Sequence, residues 1–164
     1  MYREGFSVMI EKKNIQDKKC ILGQYFTDLT ICQDIVSNID FSKADIIEPS
    51  FGSGNFLLAL KHIQNHKIGV ELDSEIYNEN LKDQFTDLFN MNFYDFKYKS
   101  DNRLIFIGNP PYRTPAYSLR THKNFISNLT KKYNVLGIRE EAVFFILHTL
   151  DIIFANNIPN SEMH

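Results

Sequence analysis

Cysteine is scarce, net charge is close to nil, and no apolar run is long enough to span a bilayer; each absence removes a class of protein. The two cysteines, Cys20 and Cys32, fit neither a disulfide framework nor a zinc-ligand spacing, and read as core or inert surface thiols. With no charged-then-apolar leader and no membrane span, the expected compartment is a reducing cytoplasm. The five histidines assemble no metal site either. His62 and His66 stand four apart, but no Glu follows His62 in the metalloprotease manner, and His122, His148 and His164 are isolated. No metal is expected, and no repeat or low-complexity tract interrupts the chain. What is there is 164 residues with 43% hydrophobic content and a net charge of −2, the size of one domain with its own core.

The chemistry concentrates in Leu104 to Tyr112. Leu104–Ile107 is an apolar run that reads as a buried strand ending at Gly108, so Asn109-Pro110-Pro111-Tyr112 is delivered at a strand's carboxyl end, where open α/β sheets bind ligands. The Asn109 side-chain oxygen and the Pro110 carbonyl are two acceptors for the two hydrogens of a planar amino group. Accepting both favours a tetrahedral nitrogen whose lone pair faces an electrophile, which stabilises the transition state for methylating a delocalised amine. Consecutive prolines at 110 and 111 stiffen the turn, and Tyr112 offers a flat face on which a planar base stacks. Asn-Pro-Pro also ends strands for purely structural reasons, so its neighbours decide its meaning.

Residues 1–20, with Lys12, Lys13, Lys18 and Lys19, read as a solvated basic arm, and 21–164 as the folded domain. Gly23-Gln24-Tyr25-Phe26-Thr27-Asp28 leads into a helix with Leu29, Ile31, Ile35, Val36 and Ile39 as its apolar stripe, capped by Thr27 or Asp28. The strand Ala44–Ile47 is followed by Glu48-Pro49-Ser50-Phe51-Gly52-Ser53-Gly54 and a helix facing inward through Phe56, Leu57, Leu60 and Ile63. The third glycine of a dinucleotide fingerprint is absent. Glu48 would repel a pyrophosphate and attract an ammonium, which suits the amino-acid-bearing nucleoside S-adenosylmethionine. A second strand, Lys67–Val70, ends at Glu71-Leu72-Asp73. Glu71 stands 19 residues past Gly52, close to the roughly 20 expected of an acid that holds ribose hydroxyls. Residues 74–85 read as helix and Leu88–Met91 as a weaker strand, after which Asp95, beside Phe96, is placed to accept from an adenine amine.

From Arg113 to Arg139 the chain carries six basic residues and no acid. Arg113, Arg120, Lys123, Lys131 and Lys132, interleaved with Tyr117, Phe125 and Tyr133, are what a flipped-nucleotide substrate requires. Glu140–Phe154 is apolar on most faces and reads as a buried helix.

Taken in order, these residues resemble the amino-group DNA methyltransferases, specifically the N6-adenine enzymes of restriction and modification systems, from Gly23 to the end. The resemblance implies an α/β, Rossmann-like methyltransferase fold with a partial parallel sheet of order 3-2-1-4 flanked by helices. It implies S-adenosyl-L-methionine as cofactor and double-stranded DNA as partner. Thr27 would hold the methionine part, Glu48, Ser50, Gly52 and Gly54 the cofactor loop, Glu71 with Leu72 the ribose, and Asp95 with Phe96 the adenine. Asn109 to Tyr112 would be the catalytic tetrapeptide, Asn109 and Pro110 gripping the target amine, Pro111 within the stiff turn and Tyr112 stacked on the flipped base. The family's later strands and target-recognition region are missing here, which would leave the strand bearing Asn109 at an open edge. Instability, self-association or a complementing chain is therefore expected. Release-factor glutamine methyltransferases share Asn-Pro-Pro-Tyr and offer a rival substrate, and a non-catalytic fragment is a second alternative; the Gln24–Thr27 element and the basic stretch favour nucleic acid.

Overall fold

The structure, a computed structural model, describes residues 25–77, 79–82, 86–156 and 162–163; the basic arm, Cys20, Gly23 and Gln24 lie outside them. Its centre is a parallel sheet built from β1 (Ala44–Glu48), β2 (Lys67–Glu71), β3 (Thr86–Asn90) and β4 (Arg103–Phe106). Their spatial order is 3-2-1-4, as expected, and a two-residue strand β5 (Glu162–Met163) adds to β4. Every residue of β1 and β2 is buried, the condition of central strands covered on both faces. β3 alternates buried and exposed instead, as an edge strand does.

Alternation along the strands divides the core in two. Ile46 and Ile105 join Cys32, Val36, Phe56 and Leu60 on one face. Ile47, Leu104 and Phe106 join Phe93, Phe144 and Ile152 on the other. The first face is covered by α1 (Leu29–Ser37) and α2 (Asn55–Ala59). The second is covered by α4 (Lys123–Lys132) and α5 (Glu141–Asn156), with the short α3 (Ala116–Thr121) leading into α4.

Several expectations are corrected. In α1 the inward residues are Cys32 and Val36, one turn apart, whereas Leu29, Ile31 and Ile35 are exposed. Burial and the nearby Glu48 charge push the Cys32 thiol up to about 11, so it is an inert core thiol. The helix after the glycine turn stops at Ala59, and Leu60 and Ile63 reach the core from the turn beyond it. Among the described residues, 74–85 hold only turns and one turn of 3₁₀ helix, Glu79–Leu81. Tyr77 and Leu81 are drawn separately onto a small cluster of Phe51, Leu57 and Leu88, and Tyr77 Oη donates to Leu88 O at 3.2 Å. The β4 edge is not wholly open, since β5 pairs with Ile105 and Phe106. In α5, Phe144, Leu147 and Ile152 are buried as expected, yet Ile146 and Phe154 face out.

Candidate active site at the strand tips

The carboxyl ends of β1, β2 and β4 converge because the strands run parallel and in register, with Ile47 opposite Phe106 and Glu48 opposite Gly69. Glu48, the last residue of β1, is 2% exposed, and its Oε2 has no hydrogen-bond partner. Burial, reinforced by the Glu71 charge, holds its carboxyl well above the ordinary carboxylate range. The chain turns after Ser50 through Gly52 at φ +53°, where a Cβ would come 2.8 Å from the Phe26 ring, and through Gly54 at φ +82°, where one would strike Leu81. The Gly52 and Asp73 N–H groups donate to the two Glu71 oxygens at 2.9 and 2.7 Å, which ties the tip of β2 to the glycine turn. Burial raises the Glu71 carboxyl too.

β4 brings the tetrapeptide to the same place. Ser50 Oγ donates to Asn109 O at 3.2 Å, and Asn109 Nδ2 donates to Tyr25 O at 3.0 Å. The second bond fixes the amide: its nitrogen is engaged, so Oδ1 is the atom left to accept. A cleft of about 620 Å³ is lined by Tyr25, Phe26, Ser50, Gly52, Glu71, Leu72, Asn109 and Pro111 among others. A smaller recess beside it joins Thr27, Glu48, Ser50, Asn55 and Asn109, and Asn55 Nδ2 donates to Thr27 O at 2.7 Å. On the other side of Pro110 lies an apolar cleft of about 640 Å³ walled by Phe106, Ile107, Phe145 and Ile146. Tyr112 is 54% exposed and lines none of these spaces. The start of α1 is satisfied from within, since Asp28 Oδ1 accepts from the Thr30 N–H at 2.8 Å.

Two assignments do not fit the geometry. Asp95 and Phe96 are not at the cleft: the Asp95 carboxylate faces His122 at 3.3 Å and is 62% exposed, while Phe96 is buried beside Phe93 and Tyr98. Asn92 and Phe93, three residues earlier, line the cleft in their place. Arg113 turns inward, its side chain 8% exposed, 3.7 Å from Glu141 and over the Tyr117 ring, so it is not displayed to a phosphate. Arg120, Lys123 and Lys131 are exposed, and Lys132 is half-exposed with its Nζ 2.5 Å from Asp151. The sequence reading missed Glu141 and Phe145 outright, because helix packing and no local pattern carries them to the cleft.

The cleft suits S-adenosylmethionine on its own terms. In the adjoining recess the buried Glu48 oxygen without a partner matches an ammonium, and Glu71, at the next strand tip, lines the cleft where ribose hydroxyls would lie. Fold and site together define the class: a Rossmann-like methyltransferase fold with an acceptor-bearing tetrapeptide beside the strand-tip cleft. Within that class the chain matches the family model of the N-6 DNA methylases over residues 7–135, and it belongs to that family, a family of DNA methyltransferases. No curated protein matches it. Among the described residues there is no cluster of side chains fit to hold a metal ion and no helix long and apolar enough to cross a membrane.

Proposed function

We propose that this protein methylates the exocyclic N6 amine of adenine in double-stranded DNA, as the modification arm of a restriction-modification system in the cytoplasm. S-adenosyl-L-methionine, when bound, supplies the electrophilic methyl group. Glu48 holds its ammonium, Glu71 its ribose hydroxyls, and Ser50, Gly52, Gly54, Leu72 and Thr27 shape the walls around it. Asn109 Oδ1 and the Pro110 carbonyl accept the two hydrogens of the flipped adenine's amine, pull the nitrogen towards a tetrahedron and aim its lone pair across the cleft. Pro111 keeps that turn rigid, and Tyr112, exposed at its end, is free to swing onto the base.

The observation that carries this reading is the bond from Asn109 Nδ2 to Tyr25 O, which leaves the amide oxygen as the acceptor beside the recess that contains Glu48. Arg120, Lys123, Lys131 and Lys132 supply phosphate contacts; Arg113 does not. A complementing chain completes the target pocket over the apolar cleft beside Pro110, where, among the described residues, β5 pairs with Ile105 and Phe106 of the neighbouring strand. The test is incubation of DNA and labelled S-adenosylmethionine with the parent and with Asn109→Ala, followed by mass analysis for N6-methyladenine. The variant is expected to lose methyl transfer by a hundredfold or more, as when a single transition-state acceptor or donor is removed, while calorimetry shows the cofactor still binding. A variant as active as the parent, or label appearing on a glutamine peptide and not on DNA, overturns the proposal.

A further inference from the structure

We infer that Glu141 reads the 6-amino group of the cofactor's adenine ring, accepting one of its hydrogens at Oε2. The inference rests on reading the strand-tip cleft as the S-adenosylmethionine site. With Glu48 and Glu71 at the tips of β1 and β2, the nucleoside base extends one strand further, towards the tip of β3. There the cleft walls are Phe93 and Phe145, whose ring centroids lie 5.1 Å apart, and the side-chain acceptors are Asn92 and Glu141. Asn92 Oδ1 already accepts from the Tyr94 N–H at 3.0 Å.

Glu141 differs. It is fully buried, and its Oε1 accepts from Tyr94 Oη at 2.5 Å and from Ser118 Oγ, with the Arg113 guanidinium 3.7 Å away. Three side chains thus orient the carboxylate, yet Oε2 has no hydrogen-bond partner. A buried carboxylate oxygen left unpaired is costly, and a ligand N–H that reaches it is strongly favoured. Phe93 and Phe145 pack against each other as one apolar wall, and that wall with a fixed acceptor in the same cleft fits an aromatic ring bearing an amino group, and rejects the same ring bearing an oxygen there.

The test compares binding of S-adenosylhomocysteine and its 6-oxo counterpart, S-inosylhomocysteine, to the whole chain by titration calorimetry. The parent is expected to prefer the amino ligand at least about tenfold, the scale of one hydrogen bond to a charged group. Glu141→Gln can set an amide N–H where the acceptor stood, and is expected to bring the two affinities together; Glu141→Met, apolar at the same length, serves the same comparison should the first variant fail to melt cooperatively. A parent that binds both ligands equally, or a folded variant that keeps the preference, overturns the assignment of Glu141 alone. A parent that binds neither ligand overturns the reading of the cleft and this inference with it.

Discussion

Glu48 shows at a single residue how the site sets function against stability. Burial and the Glu71 charge raise its carboxyl well above the ordinary 4.5, so the folded state resists ionisation more than the unfolded chain does. The stability this group contributes is full below the unfolded value and falls away as pH rises towards the folded one. A ligand ammonium reverses that balance by favouring the anion. Binding of S-adenosylmethionine should therefore release a proton and tighten as pH rises towards the raised folded value, which calorimetry in buffers of different ionisation enthalpy measures. Glu48→Gln should remove the proton release, weaken binding at least tenfold, as expected for a lost charge pair in a buried site, and raise the melting temperature of the ligand-free protein at neutral pH. A variant that still releases the proton would shift the role to Glu71. The placement of Glu48, Glu71 and Asn109 at the strand tips was legible in the sequence because each ends or closely follows an apolar run. Asp95 falls outside the cleft because β3 is an edge strand, whose alternating pattern gives no continuous run to mark its end.

Among the elements, the buried strands were the most legible and the short helices the least. β1, β2 and β4 carry apolar runs, Ile46–Ile47, Ile68–Val70 and Leu104–Phe106, beside polar residues; α1 was recognised as a helix and its buried Val36 was expected, but Cys32 takes the inward place that Leu29, Ile31 and Ile35 do not. Residues 74–85 looked helical in composition, but Tyr77 and Leu81 pack onto the Phe51, Leu57 and Leu88 cluster from turns and a single 3₁₀ turn. The pair α3 and α4 is a mixed success: Ile126 and Leu129 anchor it to the core, while Arg120, Lys123 and Lys131 remain on its outer side. Replacing those three by alanine should weaken DNA binding for all sequences alike. It should also lower the slope of log affinity against log salt by about three, near one per phosphate contact. An unchanged slope would place the DNA elsewhere.

At the scale of the whole molecule, the parallel sheet separates a structural end from a working end. At the amino ends of the strands, Tyr98 Oη and Ser100 Oγ donate to Asp45 Oδ2 at 2.8 and 2.6 Å, and His66 bridges Tyr98 to Asp87. At the carboxyl ends polar groups are left unpaired around a cleft. The β4 side adds an exposure of another kind, the apolar cleft bounded by Ile107, Pro110 and Ile146. Light scattering on the isolated protein should show a mass that climbs with concentration, since the apolar surface that the described residues expose beside the β4–β5 pairing invites association; a constant monomer mass up to high concentration would contradict it.

The bond that turns the Asn109 amide ends on the main-chain oxygen of Tyr25, which every amino acid possesses. Replacing the Tyr25 side chain cannot delete that acceptor, so the ring is free to drift through evolution without disarming the asparagine. Spacing is what the enzyme must conserve: one residue inserted between Tyr25 and the Asp28 cap slides the carbonyl out of reach and frees the amide to rotate, a lesion of chain length that no scan by substitution would uncover.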